Sequence, residues 1–129
     1  QNHYLRALQA SHPEQVEIIS GFHLFEQTAL PTYIEGVEAN KNNMSKVWLI
    51  EEKQTDVQMA MHIYRDAVLD NYDLLVVCTN DSDLEPCLEL VKQDAPQVQL
   101  GLVTPLRFEG YRPSSSNQRL VKHSDWTRR

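Results

Sequence analysis

Three short apolar runs, separated by segments with helical periodicity, constrain the fold of this chain more than any other feature. The runs lie at Val47–Ile50, Asp73–Thr79 and Val98–Val103. Apolar residues recur at helical spacing after each of the first two runs. Strands that alternate with amphipathic helices predict a parallel sheet covered on both faces. The expected fold class is therefore α/β, with a mostly parallel central sheet.

Weaker patterns predict the rest of the chain. In order, they indicate a helix at Tyr4–Ala10, a strand at Val16–Ser20, a long irregular connection at Gln27–Asn43, and a final helix that opens at Ser115 or Ser116 and includes Leu120, Val121 and Trp126. A chain of 129 residues, 41% of them hydrophobic, fits one compact domain with its own core. We therefore expect residues 1–129 to form a single domain.

Composition excludes several classes of protein. No stretch approaches the roughly 18 consecutive apolar residues of a membrane span. Cys78 and Cys87 lie within apolar patterns, which predicts buried free thiols and hence a reducing, cytoplasmic location. The net charge of -6 argues against binding nucleic acid through a broad basic face. The segment after Pro105 is basic, which fits either a phosphate-facing surface or a solvated end.

Carboxylates follow two of the predicted strands. Asp56 lies in EEKQTDVQ after the first strand, and Asp81 and Asp83 lie in TNDSDLEP after the second. Ligands of open α/β sheets bind beyond the carboxyl ends of the strands. Glu51 and Glu52 would join this acidic group if the two strands are neighbours.

Helix capping accounts for part of this pattern. Thr55-x-x-Gln58 and Ser82-x-x-Glu85 both match a capping box, which places Asp56 and Asp83 in the first turns of two helices. Capping by Ser82 leaves Asp81 without a structural reason.

A metal ion explains the remaining aspartate. Crowded carboxylates raise one another's pKa unless a cation neutralises them. Carboxylate oxygens suit Mg²⁺ or Mn²⁺, which also bind substrate phosphates. Asp81 and Asp83 are therefore candidate metal ligands, joined by Glu51, Glu52 and Asp56 if the two strands are neighbours, and Lys53 and Arg107 are candidate phosphate contacts.

Four segments of the chain resemble the NYN domain, specifically its LabA-like branch within the PIN-like nuclease superfamily. They are EEKQTDVQMAMHIYRDA, YDLLVVCTNDSDLEPCLELVK, QLGLVTP and RPSSSNQRLVKHSDW. The K-x-x-D-V and [ST]-x-D-S-D elements are the specific ones. The opening QNHYL resembles the end of the family's first-strand motif, whose aspartate has no counterpart here. We expect a strand that ends in aspartate to precede Gln1.

The resemblance implies a PIN-like three-layer α/β/α fold and cleavage of RNA phosphodiesters by an endoribonuclease that uses Mg²⁺ or Mn²⁺. It also implies that Asp56, Asp81 and Asp83 are the metal ligands and catalytic residues. The implied products carry a 5′-phosphate and a 3′-hydroxyl. The expected substrate contacts are Asn2, Lys53, Thr79, Asn80, Ser82 and Arg107. The alternative is a non-catalytic NYN-fold module that binds nucleic acid or protein, in which the acidic pocket serves regulation and the apparent site reflects helix capping and the inherited fold. A homodimer or a protein partner is compatible with both readings.

Overall fold

The computed structural model describes residues 2–69, 72–105 and 118–128. Its elements, in chain order, are α1 (Asn2–Ser11), β1 (Phe22–Pro31), β2 (Met44–Lys53), α2 (Thr55–Val68), β3 (Leu74–Cys78), a 3₁₀ helix (Ser82–Leu84), α3 (Glu85–Asp94), β4 (Gln99–Val103), α4 (Gln118–Val121) and β5 (Trp126–Arg128). The chain divides into two compact units, Gln1–Thr55 and Asp56–Arg129. Within the described ranges, no helix has both the length and the apolar character that crossing a bilayer requires.

The first unit contains α1 and an antiparallel hairpin of β1 and β2. The register pairs Phe22 with Lys53 and Pro31 with Met44. The helix predicted at Tyr4–Ala10 is confirmed as part of α1. The strand predicted at Val16–Ser20 is wrong, because strand pairing begins only at Phe22. β1 pairs with β2 across the loop at residues 32–43, and a pattern confined to β1 carries no information about that partner.

The strand prediction at Val47–Ile50 is confirmed within β2, but burial on both faces is wrong. Trp48 and Ile50 are 67% and 57% exposed, whereas Val47 and Leu49 are half-buried. Successive side chains of a strand point to opposite faces, so one face of this antiparallel ribbon is open. The predicted irregular connection is correspondingly shorter, since β1 continues to Pro31.

The second unit contains a parallel sheet in the order β3-β4-β5. Leu74 pairs with Gln99 and Cys78 with Val103, which confirms the two strands predicted there. The placement of Trp126 in a helix is wrong: it begins β5, opposite Gly101. A Cβ atom on Gly101 would overlap the indole of Trp126, so the glycine makes room for the ring. Ser115 and Ser116, the predicted start of the last helix, lie outside the described residues.

One face of this sheet carries the core. Val77, Leu100 and Leu102 pack with Leu88 of α3 and Leu120 of α4. Met59, Ala60 and Ile63 of α2 lie against the same cluster. The predicted inner face of α3 is confirmed, because Leu84, Cys87, Leu88 and Val91 are all buried.

The opposite face of the sheet is exposed at Leu74 and Val76. The architecture is thus mixed α/β with a parallel sheet, and helices on both faces stay a prediction. Cys78 alternates onto this exposed face, so its predicted burial is wrong, whereas Cys87 is buried; both are free thiols. Burial raises the pKa of the Cys87 thiol.

Candidate functional site

Asp81 and Asp83 lie directly beyond the carboxyl end of β3, as the sequence predicted. The backbone amide of Thr79 donates to the carbonyl of Val103 at 3.0 Å. The side-chain amide of Asn80 donates to the carbonyl of Pro105 at 2.5 Å. These two bonds tie the segment after β3 to the end of β4, at the sheet edge where α/β proteins place their ligands.

Asp81 is the N-cap of the 3₁₀ helix. Its Oδ1 accepts the backbone amide of Asp83 at 2.9 Å, and its own amide donates to the hydroxyl of Thr79 at 3.0 Å. The prediction that Ser82 caps this helix is therefore wrong. An aspartate side chain readily reaches the amide two residues on, so the helical turn begins one residue earlier than the capping-box pattern indicated. The expectation that Asp81 lacks a structural reason is wrong as well.

Capping does not exclude ligation by the same side chain. The cap bond occupies Oδ1, and an ionised carboxylate carries a second acceptor oxygen. Asp81 and Asp83 are both exposed. Two accessible carboxylates suit Mg²⁺ or Mn²⁺, which bind through one or two carboxylates and keep several waters. The donor set present at this edge therefore fits a hard divalent cation.

Asp56 lies in the first turn of α2, as predicted, and is exposed. Among the described residues, no group of three or more His, Cys, Asp or Glu side chains is close enough to hold a metal ion. The three-carboxylate site of Asp56, Asp81 and Asp83 therefore stays a prediction. Glu51 pairs with Lys53, and Glu52 accepts the hydroxyl of Thr55.

Glu51 and Glu52 were expected to join the acidic group if β2 and β3 were neighbouring strands. In the described chain β2 and β3 belong to different sheets, so this condition is not met. Glu51 and Glu52 are thus engaged locally in the first unit.

The predicted substrate contacts divide into three groups. Thr79 and Asn80 hold the segment after β3, and Ser82 is half-buried within the 3₁₀ helix. Lys53 pairs with Glu51, whose hydrogen bond raises the pKa of the lysine. Asn2 begins α1, but its side chain lies outside the described part of the structure, as does Arg107.

Sequence reasoning missed a charged cluster at the start of α3. The carboxylate of Glu85 pairs with Lys122 Nζ at 2.5 Å and with Arg119 Nε at 3.9 Å. The hydrogen bond from Lys122 is the main cause that lowers the pKa of Glu85. His123 Nε2 lies 3.9 Å from the same carboxylate. The basic character of the final segment was the available signal, but it did not indicate which cations pair with Glu85.

Two comparisons with known proteins bear on this site. The sequence profile of the NYN domain matches residues 13–125. The 6-hydroxy-3-succinoylpyridine 3-monooxygenase HspA of Pseudomonas putida (strain DSM 28022 / S16) is 28% identical over 132 residues. That alignment covers 99% of this chain and 41% of the relative, so the chain spans less than half of the relative's length. No solved structure matches the chain.

Proposed function

Because the chain belongs to the NYN domain family, which has the PIN-like nuclease fold, we propose that it is a metal-dependent endoribonuclease. We assign it to the LabA-like branch and treat residues 1–129 as a single domain. The observation that carries the proposal is the pair Asp81 and Asp83, exposed at the carboxyl end of β3 in a chain of this family. The proposed reaction is hydrolysis of RNA phosphodiester bonds.

The proposed ligands of Mg²⁺ or Mn²⁺ are Asp56, Asp81 and Asp83. When bound, such an ion polarises phosphate oxygens and lowers the pKa of water so that hydroxide is available near neutral pH. The protein's own contribution is positioning. Thr79 accepts the amide of Asp81, and Asp81 in turn accepts the amide of Asp83, so both residues are ordered before any ligand arrives. Metal-binding side chains that are already ordered lose less conformational entropy when the ion binds.

The test is an RNA cleavage assay on the full protein, with single-stranded and structured RNA, in Mn²⁺ and in EDTA. Asp81→Asn is the informative variant, because asparagine caps helices as well as aspartate but lacks the charge. We expect normal thermal unfolding and a loss of cleavage above about a hundredfold, more than outer-sphere changes cause.

Asp73→Asn is the matched control, since Asp73 precedes the same strand at its opposite end. We expect this variant to cleave like the wild type. Cleavage that persists in EDTA, or an Asp81→Asn protein as active as the control, would overturn the proposal.

The cap made by Asp81 favours a second candidate, the non-catalytic module that binds nucleic acid or protein. Calorimetric titration with Mn²⁺ separates the two. The nuclease takes up Mn²⁺ at a site that Asp81→Asn weakens, whereas the module binds RNA with no such uptake and no cleavage.

The relative is named as a 3-monooxygenase of 6-hydroxy-3-succinoylpyridine, and a further assay tests that activity here. The protein is incubated with 6-hydroxy-3-succinoylpyridine, dioxygen and a reduced nicotinamide, which supply the atoms and electrons of a monooxygenation. Consumption of the pyridine would identify the protein as a monooxygenase, and that function would replace the nuclease proposal. We expect the pyridine to remain.

A further inference from the structure

The Glu85 cluster lies on the side of the second unit that also carries the acidic pair. Leu120 of α4 is buried in one cluster with Leu84, the last residue of the 3₁₀ helix that Asp81 caps. Glu85 follows directly as the first residue of α3. Burial of Leu120 therefore holds α4 beside the turn that carries Asp81 and Asp83. Arg119 of α4 and Lys122 of the turn after it therefore pair with a carboxylate that lies directly next to the 3₁₀ helix in the chain.

The cluster holds more positive than negative charge. Arg119 and Lys122 both pair with the single carboxylate of Glu85, which leaves an excess of one positive charge. Their side chains are 70% and 56% exposed, so both have donors open to a ligand. The Nε2 atom of His123 is buried beside the same carboxylate and has no hydrogen-bond partner in the described part of the chain. The donors here exceed what one carboxylate can accept.

Resting on the proposed function, we infer that Arg119 and Lys122 bind the backbone phosphates of the RNA next to the scissile one. Guanidinium and ammonium groups are the side chains that recognise phosphate oxygens. An acidic chain needs such local cations to bind a polyanion, because its overall charge of -6 repels one. Glu85 orients the two cations in the free protein and competes with phosphate for them. The site is specific for phosphodiester backbone and carries no base preference.

Binding is measured in EDTA, so that it does not depend on cleavage. The probe is a fluorescein-labelled oligouridylate, and its anisotropy gives Kd across a series of KCl concentrations. The variant is Arg119→Gln with Lys122→Gln. Each single-strand phosphate contact contributes about 0.7 to the slope of log Kd against log salt, so the variant's slope should fall by about 1.4. Equivalently, the loss of affinity between about 50 and 200 mM KCl becomes about sevenfold smaller.

The matched control removes the same charge elsewhere. Lys46→Gln with Arg65→Gln changes two exposed cations on β2 and α2. We expect the control to keep the wild-type slope. Both double variants should remain folded, because the substituted cations are exposed and single ion pairs of exposed side chains contribute little to stability.

Glu85→Gln separates phosphate binding from a purely structural ion pair. Loss of the competing carboxylate should lower Kd severalfold, and by more than Glu89→Gln, which removes an exposed carboxylate from the same helix. If the cluster serves only to hold α4 in place, Glu85→Gln instead leaves RNA affinity unchanged or weakens it.

The outcomes distinguish this inference from the proposed function. A wild type that cleaves RNA in Mn²⁺, with a double variant of unchanged slope, refutes the inference and leaves the nuclease proposal standing. A reduced slope in a protein that never cleaves supports the phosphate site and refutes the nuclease. A wild type that does not bind the oligouridylate at all overturns the inference.

Discussion

Gly101→Ala tests the least expected part of the fold, the pairing of β4 with β5. An added Cβ would overlap three indole atoms of Trp126. The backbone has little freedom to relieve this overlap. The amide of Asp125 donates to the carbonyl of Leu100 at 2.7 Å, and the amide of Thr104 donates to the carbonyl of Arg128 at 2.8 Å. Because β5 is held at both ends, the ring itself must move.

The magnitude follows from two opposing effects. Forcing an extra methyl group into a packed site costs about 1–3 kcal/mol. Alanine also restricts the unfolded chain, which stabilises the fold by about 0.4–1 kcal/mol where the new side chain fits. The net loss for Gly101→Ala should be roughly 1–2 kcal/mol. For a chain of this size, that lowers the melting temperature by about 4–8 °C.

Circular dichroism during urea and thermal unfolding measures the effect. The decisive comparison repeats Gly101→Ala in a protein that also carries Trp126→Ala. With the indole gone, the overlap disappears, so Gly101→Ala should become neutral or stabilising. The coupling in this double-mutant cycle should be about 1–3 kcal/mol. A coupling within about 0.5 kcal/mol of zero would refute the register that places Trp126 opposite Gly101.

Three further outcomes are expected. Asp81→Ala should lower stability by about 1 kcal/mol through loss of the cap, and Asp81→Asn by only a few tenths, as urea unfolding would show. Leu88→Ala, at a site with no exposed area, should cost about 2–5 kcal/mol in the same measurement. The amide of Leu100 and then Lys92 lower the pKa of Asp125, so its contribution is present above its ordinary pKa of about 3.9 and is lost as the pH falls through the lowered folded value. Asp125→Asn should therefore reduce stability near neutral pH and flatten its fall in acid, and an unchanged acid limb would contradict this.

Local sequence patterns predicted the structure correctly where the spacing of nearby residues determines it. Leu84, Cys87, Leu88 and Val91 share one face of a helical turn, and burial of that face follows from the spacing alone. The run at Leu74–Cys78 is apolar enough to be read as a strand without its partner. Parallel pairing followed because a helix separates this strand from the next.

Non-local pairing set the limit of prediction. β1 is a strand because β2 lies beside it, and the loop between them hides that relation from any short window. Trp126 continued a helical pattern by spacing, yet it pairs with Gly101 in the sheet. In both cases hydrogen bonds to a distant segment decided the structure, and intrinsic preference for strand is weak compared with such context.

The acidic pair shows how one residue supports two readings at once. Asp81 has an ordinary structural reason, since its Oδ1 caps the turn that contains Asp83. Capping thus explains an aspartate at this position without any metal, although asparagine or serine would cap equally well. Capping therefore requires only an oxygen acceptor at this position, and a negative charge at the start of a helix adds typically about 0.3–1 kcal/mol. The charge is what a cation requires, and Asp81→Asn alters the charge while it preserves the acceptor. Asp81→Asn should lose metal binding and keep the cap, whereas Asp81→Ala should lose both. Comparison of the two variants therefore separates metal binding from helix capping at a single side chain.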